Sequence, residues 1–410
     1  MKAGWEVRTL NEVCSFENGD RGENYPSKSV QTTSGVPFIN AGHLTETGLN
    51  FRAMNYIPRD RFELLGNGKI RKHDILFCLR GSLGKCASVG ELDEGAIASS
   101  LVIVRPKWPV TPRFLSAYFQ SDLCASMIDK YKNGAAQPNL SAGSLRQFKV
   151  PVPPLLEQER IVAILDDAFE GISTAKANTE KNLQNAADLL NAGFTMFASK
   201  EEQSTWQKKT VAEVAAPHKG SIRTGPFGSQ LLHGEFVDEG IAVLGIDNAV
   251  ANEFRWGKTR FITQKKYEQL RRYTVFPGDV LITIMGTCGR CAVVPEDIPT
   301  AINTKHLCCI TVNLEKCIPE YLHAYFLYHP KARDFLEIRA KGSIMDGLNM
   351  AIIQELPLLL PSIDRQKEIV GLLTSLRTAI LRLQSIYKQK LTTLDVLKKS
   401  LLQEAFTGQL

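Results

Sequence analysis

The chain has 410 residues, of which 44% are hydrophobic and 22% charged, a size and composition that fit two or more folded domains and exclude a disordered protein. The formal net charge of +6 permits a nucleic-acid partner but does not require one. Nine scattered cysteines favour a reduced cytoplasmic protein over a disulfide framework, and we expect neither a secretion signal nor a membrane span, because no run of about 18 apolar residues occurs.

The first predicted domain, residues 1–152, mixes strands and helices. The stretch DILFCLRGSLGKCASV, which begins at Asp74, predicts a strand, a glycine turn and a second strand. The stretch PRFLSAYFQSDLCASMIDKY, which begins at Pro112, has the apolar spacing of helices. We therefore expect an α+β globule with antiparallel strands.

A long helix is predicted next, within residues 153–198. No proline occurs from Glu157 to Phe197, and Pro153 and Pro154 suit the start of a helix. The apolar stripe of this helix consists of Ile161, Leu165, Ala168, Ile172, Ala175, Leu183, Ala186 and Leu190. A helix of about 40 residues would be about 60 Å long.

The second predicted domain, residues 199–360, repeats the first. Asp74, Gly81, Gly84 and Cys86 recur about 205 positions later as Asp279, Gly286, Gly289 and Cys291. Trp5 is echoed by Trp206, and FLSAYF by YLHAYF. The spacing between matched residues varies slightly along the chain, as insertions in surface loops permit. The chain is thus a duplication of a domain-sized unit.

A second long helix is predicted within residues 361–410. Its apolar residues form two series that repeat every seven positions, as the a and d positions of a coiled coil do. The first series is Ile369, Leu376, Leu383 and Leu397, and the second is Leu373, Ile380, Tyr387, Leu394 and Leu401. The alternative is a core helix hairpin inside one large domain, but five heptads are long for a core helix. We expect the two helices to pair as an antiparallel coiled coil, with the globules related by a pseudo-two-fold axis.

The sequence lacks the common nucleotide-binding and hydrolytic motifs, so it predicts no cofactor and no catalytic residue. The stretch GSLGKC is too short for a phosphate-binding loop, and no signature of an adenine methyltransferase is present. Cys288 and Cys291 have the C-x-x-C spacing of a zinc site. The first copy has the apolar Leu83 in the place of Cys288, which argues against a metal.

Three stretches resemble the specificity subunit of type I restriction-modification enzymes. They are PVPPLLEQERIVAIL from Pro151, its echo PSIDRQKEIVGLL from Pro361, and the ending LKKSLLQEAFTGQL. The resemblance covers essentially the whole chain. The second copy departs from the proline block at Ser362 and Asp364, residues that still suit a helix start.

The resemblance implies a function without catalysis. In that family each globule is a target recognition domain that reads one half of a split DNA sequence. The two helices form a spacer that also docks two modification (methyltransferase) subunits, and restriction (motor-nuclease) subunits join the complex. We therefore expect double-stranded DNA and these subunits as partners, and no membrane.

Candidate DNA-reading residues lie on polar loops whose content differs between the two copies while the surrounding frame repeats. Arg, Lys, Asn and Gln lead this set because their side chains offer paired donors and acceptors to base edges. In the first globule the candidates are Arg21, Asn24, Tyr25, Lys28, Asn40, His43, Lys132, Gln137 and Asn139, and in the second they are Lys219, Ser221, Arg223, Ser229, Gln230, Asn248, Lys341 and Ser343. The glycine turns beside Arg80 and Arg290 could bring backbone near phosphate, or could be plain hairpin turns.

Three other functions fit parts of this pattern. The same fold could serve another phage-defence methylase assembly. The chain could also be an unrecognised nuclease or methyltransferase, which would act without partners, or a coiled-coil scaffold that does not contact DNA.

Overall fold

A computed structural model describes residues 2, 4–46, 48–134, 138–340 and 347–410. The chain divides into two compact units. The first unit comprises Met1–Thr179 and Gln389–Leu410, and the second comprises Glu180–Lys388. Each unit therefore combines one globule with segments of both long helices.

The first globule alternates short strands and helices. Its strands are β1 (Glu6–Thr9), β2 (Cys14–Asn18), β3 (Val36–Ile39), β4 (Leu44–Thr45), β5 (Gly48–Leu49), β6 (Asn55–Ile57), β7 (Ile75–Cys78), β8 (Cys86–Ser88), β9 (Ala96–Ile97), β10 (Leu101–Pro106) and β11 (Lys149–Val152). Its helices are α1 (Leu10–Val13), α2 (Arg59–Glu63), α3 (Pro112–Phe119), α4 (Asp122–Tyr131) and α5 (Ala142–Arg146). The predicted strand–glycine turn–strand is confirmed as β7 and β8, which pair antiparallel, and the predicted helices as α3 and α4.

The second globule repeats most of these elements in the same order. After the first long helix, α6 (Leu155–Phe197), its helices are α7 (Lys200–Ser204), α8 (Val211–Val214), α9 (Gln264–Leu270), α10 (Pro319–Tyr328), α11 (Pro330–Ala340) and α12 (Met350–Glu355). Its strands are β12 (Gln207–Thr210), β13 (Ile222–Thr224), β14 (Ile241–Leu244), β15 (Phe261–Ile262), β16 (Thr274–Val275), β17 (Val280–Thr283), β18 (Cys291–Val293), β19 (Ala301–Asn303), β20 (Leu307–Ile310) and β21 (Pro357–Leu360). The second long helix, α13, is Ile363–Thr407.

The sheets confirm the internal duplication. The first globule has a sheet in the order β2-β10-β7-β8, and the second has the matching order β13-β20-β17-β18. A smaller sheet in each globule contains one parallel pair, β3 with β9 and β14 with β19. The expectation of antiparallel strands is wrong for these two pairs, because a long stretch of chain separates their two strands and lets the second return in the same direction.

Each central sheet is buried on both faces. Ile75 and Phe77 of β7 pack into one apolar cluster and Leu76 and Cys78 into another, as the alternation of side chains along a strand requires. This explains why β7 and its counterpart β17 are continuous apolar runs. The same alternation places Cys308 and Cys309 of β20 in different clusters, so they face away from each other.

The two long helices start at equivalent joints. The carboxamide of Gln158 is buried and donates to the carbonyl oxygens of Pro109 (2.8 Å) and Pro153 (2.9 Å), and it accepts from the Thr111 amide (3.0 Å). Gln366 repeats these three hydrogen bonds in the second copy, with Lys316, Pro361 and Ile318 as partners. The repeated glutamine of the proline block therefore fastens each helix start to its globule.

The predicted apolar stripe of α6 is buried or half-buried at all eight positions. In α13 the series from Leu373 to Leu401 also faces inward, but Leu383 and Leu397 are exposed, with 41% and 44% of their surface accessible. After Leu376 the inward positions move by one residue, to Gln384, Leu391 and Lys398. A straight α-helix has 3.6 residues per turn and drifts about 20° per heptad from a strict seven-residue repeat, which accounts for the shift.

Each unit brings the start of one long helix to the end of the other. In the first unit the guanidinium of Arg160 donates to the carbonyl oxygen of Leu410 (2.6 Å), and in the second Arg365 donates to that of Phe197 (2.7 Å). The helix ends also enter the cores at equivalent places. Phe406 packs on Phe114 and Tyr118, and Phe194 packs on the matching Tyr321 and Tyr325.

One helix of the described part of the chain, α13, is long and apolar enough to cross a membrane by length and composition alone, with a mean hydropathy of 1.3 over an 18-residue window. This window is apolar on average but includes polar residues, so it is not an unbroken apolar run. A single such helix is weak evidence for a membrane span. In the second unit Ile369 and Leu373 of α13 belong to the apolar core, and this burial by itself explains why they are apolar.

Candidate nucleic-acid interface

In the first unit four loops converge on the connection between β9 and β10. The Arg21 guanidinium lies 3.4 Å from the carbonyl oxygen of Ser99, and the Leu79 amide donates to that of Ser100 (2.9 Å). The Leu140 amide in turn donates to the Leu79 carbonyl (2.9 Å). We call residues 19–28, 40–43, 79–85, 132–134 and 138–140, together with 98–100, the first loop cluster.

The second unit repeats this convergence around the connection between β19 and β20. The Thr304 amide donates to the Leu244 carbonyl (2.9 Å), and the Ile284 amide donates to the His306 carbonyl (2.9 Å). The Leu348 amide donates to the Ile284 carbonyl (2.8 Å), as Leu140 does to Leu79. Residues 219–230, 245–248, 284–290 and 347–349, with 303–306, form the second loop cluster.

One glycine in each cluster allows the first loop to approach this connection. A Cβ on Gly19 would lie 2.7 Å from the carbonyl oxygen of Ala98, and a Cβ on Gly225 would lie 2.1 Å from that of Asn303. Any side chain at these positions would clash with backbone. The close backbone contact therefore fixes the polar loop beside the central connection in both units.

Most basic and amide candidates lie on the surface of the two clusters. Those that the structure leaves exposed are Arg21, Lys28, Lys132, Asn139, Lys219, Ser229 and Gln230. Some already have partners within the protein. Lys132 pairs with Asp129 (2.7 Å), and the Gln230 carboxamide oxygen accepts from the Tyr273 hydroxyl (2.9 Å).

Four candidates of the first cluster pack or bond within the protein and hold the loops in shape. The Asn24 carboxamide donates to the Leu64 carbonyl (3.1 Å), and Tyr25 packs edge-on against Phe38. The Asn40 side chain accepts from the Gly42 amide (2.8 Å), which caps a turn of 3-10 helix. His43 is buried inside that turn, and burial lowers the pKa of its imidazole.

Three candidates of the second cluster are buried, which argues against direct contact with DNA. Ser221 is 9% exposed and Asn248 2%, and the Asn248 carboxamide bonds the Gly245 amide and the Arg255 carbonyl. The Arg223 guanidinium donates to the Thr274 carbonyl and to Thr311, and it forms an ion pair with the fully buried Asp279. We therefore remove Ser221, Arg223 and Asn248 from the candidate contacts.

The burial of Arg223 has a counterpart in the first unit. There Asp74 is fully buried and binds Arg105 through two hydrogen bonds of 2.7 and 2.8 Å. By strand pairing, Arg105 occupies the position in the first unit that Thr311 occupies in the second. Arg223 occupies the position in the second unit that Glu17 occupies in the first. Each unit thus neutralises its aspartate with an arginine from a different strand, so the arginines do not align in the sequence.

Gln137, Lys341 and Ser343 lie outside the described residues. Described residues that follow them in the sequence make matching contacts in the two units. Asn139 pairs with Arg80 in an isolated β-bridge, and Gly347 pairs with Met285 in the same way. Each glycine turn therefore lies against the loop that precedes its proline block, and Arg80 and Arg290 on these turns are exposed.

The sequence reasoning missed the central connections themselves. Lys305 and His306 are half-buried there, at the level of Ser99 and Ser100 in the first copy. Burial, together with the neighbouring Lys305 and Arg260 charges, lowers the pKa of His306. A neutral imidazole both donates and accepts hydrogen bonds. The sequence does carry one sign of this difference, because the stretch AINTKHL from Ala301 has one residue more than the matching AIASSL from Ala96.

The described residues contain no group of three or more His, Cys, Asp or Glu side chains placed to hold a metal. The Cys288 thiol donates to the Ile284 carbonyl (3.3 Å), while Cys291 is buried in β18. The arrangement in each cluster is instead a concentration of exposed cations and amides on loops held by a rigid sheet. Such groups bind phosphate and the edges of bases.

Comparisons with known proteins agree with this arrangement. The family model for the "Type I restriction modification DNA specificity domain" matches residues 2–185 and 203–392. The chain is 26% identical over 303 residues to the type I restriction enzyme EcoBI specificity subunit of Escherichia coli, covering 70% of this chain and 63% of that subunit. It is 22% identical to the EcoKI specificity subunit of E. coli K12, covering 100% of this chain and 90% of that subunit.

Two solved structures share the fold. A chain from a study of complex assembly and conformational transition of the type I R-M system superposes with a TM-score of 0.78 at 18% identity, covering 100% of this chain and 99% of that one. The HsdS subunit from Thermoanaerobacter tengcongensis superposes with a TM-score of 0.60 at 16% identity, covering 100% and 98%. At these identities the likeness shows the fold alone.

Proposed function

The chain belongs to the family of type I restriction modification DNA specificity domains, of which it carries two copies, and we propose that it is the non-catalytic subunit that recognises DNA for such an enzyme. Each loop cluster reads one half of a bipartite target. The observation that carries this proposal is the pair of loop clusters, which share one backbone frame but present different side chains. Two different half-sites require such a pair.

The proposed contacts are exposed side chains of the two clusters, together with two half-buried residues, Lys305 and His306. In the first unit they are Arg21, Lys28, Arg80, Lys132 and Asn139, and in the second they are Lys219, Ser229, Gln230, Arg290, Lys305 and His306. Gln137, Lys341 and Ser343 stay in the set as sequence-based candidates. Cations among them bind phosphate and fix the register, while amides and bidentate arginines distinguish bases.

The helices are proposed to form the spacer between the two readers. We propose that they pair along their length as an antiparallel coiled coil, and that the functional division is residues 1–152, 153–198, 199–360 and 361–410. The contacts of Arg160 with Leu410 and of Arg365 with Phe197 support this pairing, because each joins the start of one helix to the end of the other. The spacer length would then set the number of unread base pairs.

Modification and restriction subunits are the proposed protein partners. Several large apolar side chains of the long helices are exposed and offer surface for docking modification subunits. They include Ile164, Leu189, Met196, Leu372, Leu381, Ile386 and Val396. Methyl transfer and cleavage would reside in the partners, and the complex would act in the cytoplasm, which its free cysteines favour.

Methylome sequencing tests the proposal. Cells that carry this chain with its modification subunit should methylate adenines in one bipartite sequence with a fixed gap, and cells that carry the modification subunit alone should not. The same methylation without this chain would overturn the proposal. Methyl transfer or cleavage by the purified chain alone would favour an enzyme instead.

A further inference from the structure

In both units a glutamate on a loop that follows the strand β3 or β14 pairs with a cation of the long helix α13. The Glu46 carboxylate pairs with the Lys398 ammonium of α13 at 2.6 Å, and the Glu253 carboxylate pairs with the Arg377 guanidinium of the same helix. Both pairs lie within their own unit. We call them the first and second tether.

The cations of the two tethers occupy different helix positions. The repeat that matches Gln158 with Gln366 also matches Phe169 of α6 with Arg377 of α13. In the first unit Phe169 therefore stands where the second unit has its cation, and the Lys398 ammonium lies 5.1 Å from the centre of the Phe169 ring. The cation of the first unit therefore comes from the last turns of α13 and not from the position of α6 that matches Arg377, while the acidic partner is on a loop in both units.

A second set of contacts makes the loop around Glu253 rigid. The His323 imidazole lies 3.0 Å from the carbonyl oxygen of Asn252, and the Asn252 side chain accepts from the Cys291 amide. Glu253 also pairs with Arg255. A carboxylate held in this way can fix the rotation of the helix about its own axis, since Arg377 projects from one face of that helix.

We propose that the two tethers are positioning elements, which hold each reading globule at a fixed angle on its helices and so hold the two half-sites at one separation. The inference rests on the proposed function. The two units form the same kind of ion pair between a loop and α13 with residues at different positions, which indicates that the contact itself is required. Both pairs are partly exposed and contribute little to folding stability, so variants without them should fold.

Charge reversal tests the second tether. We would compare the wild type with Arg377→Glu, the double variant Glu253→Lys with Arg377→Glu, and the milder Arg377→Gln, each with its modification subunit, by methylome sequencing. Glu296→Lys serves as a matched control, because Glu296 is an exposed carboxylate of the same unit outside the tether. Complexes that contain Arg377→Glu or Arg377→Gln should methylate the original target and also targets whose gap differs by one base pair or more. The complex with the double variant should methylate targets of one gap only.

Two results would overturn the inference. One is that Arg377→Glu and Arg377→Gln keep a single unchanged gap, or that they lose methylation uniformly at all sites, as a merely structural role would produce. The other is relaxed spacing that the double variant does not restore. The proposed function fails separately, if the wild type methylates no bipartite target at all.

Discussion

At the scale of single residues, a buried glutamine fastens each long helix to its globule. The Gln158 carboxamide satisfies two carbonyls and one amide, and Gln366 does the same in the second copy. We predict that Gln158→Leu lowers the free energy of unfolding by about 3 kcal/mol, since it leaves buried backbone groups unpaired. Urea unfolding measures this, with the exposed Gln403→Leu as control. Equal stability of the two variants would contradict the role.

Arg21 is the exposed arginine that lies beside the central connection of the first cluster. Arg21→Ala should weaken DNA binding, and if Arg21 reads a guanine the loss should be about 1–3 kcal/mol and confined to one base position of the first half-site. Gel shifts against a panel of base-substituted duplexes measure this. Arg113→Ala is the control, because Arg113 is exposed on α3 outside the cluster. Uniform loss on all sequences would assign Arg21 to phosphate.

Arg223 shows why residue type and loop position do not suffice to assign a contact. Its polar, glycine-rich setting is typical of a reading loop. Its guanidinium is nevertheless needed to neutralise Asp279, which β17 places in the core. The corresponding arginine in the first unit comes from β10, a strand distant in the sequence. Which arginine is free is therefore decided by strand pairing.

At the scale of elements, the junction between α10 and α11 contains a buried histidine. The His329 ring stacks on Tyr325 at 4.2 Å, and its Nδ1 accepts from the Lys331 amide (3.2 Å). Burial lowers the pKa of His329 to about 4 from 6.5. The unfolded state therefore binds the proton more tightly than the folded state does.

We predict that the free energy of unfolding of the second unit falls by up to about 3 kcal/mol as the pH falls from about 6.5 to about 4. Above about pH 6.5, where His329 is neutral in both states, this pH-dependent component should be absent. Unfolding followed across this pH range measures it. His329→Phe should abolish the component because phenylalanine keeps the ring but not the titration. The exposed His218→Phe should not. A flat profile in the wild type would contradict the shifted pKa.

The long helices give the second prediction at this scale. In the second unit a Cβ on Gly193 would lie only 3.1 Å from the Leu373 side chain, and in the first unit Lys176 pairs with Asp395, so the register of the two helices is fixed inside each unit. An insertion that preserves both units must therefore lie where the units divide, after Thr179 in α6 and after Lys388 in α13. Four residues in each helix add about 6 Å, and a base pair occupies about 3.4 Å. The methylated target should gain one or two unread base pairs while its half-sites stay the same.

Two matched variants sharpen the test. Two residues in each helix should turn the second reader by about half a turn and lose activity. Four residues in α6 alone should also fail, because only one helix of the pair lengthens. An unchanged gap in an active four-residue variant would show that the helices do not set the spacing.

At the scale of the whole molecule, each reader should be exchangeable, but its core is not confined to its globule. Phe114 of the first globule packs on Phe406 of the last helix, at 5.1 Å between ring centres. We predict that replacing residues 1–150 and 389–410 together with those of a relative changes the first half-site only. Methylome sequencing measures this, and a change in both half-sites would contradict independent readers. Replacing residues 1–150 alone should also change that half-site, but with lower stability.

The sequence by itself determined the duplication, the glycine hairpins, the two proline-free helices and the family, because these depend on local periodicity and on spacing along the chain. The tertiary structure alone decided which polar residues are free. Arg223, Ser221 and Asn248 are buried by strands and turns, while Lys305 and His306 enter the second cluster through a connection that differs from the first copy by one inserted residue. The heptad pattern likewise predicts Leu383 and Leu397 as inward-facing positions, but the pitch of the helix leaves both side chains exposed. Burial and pairing are set by contacts between distant segments, which no local pattern records.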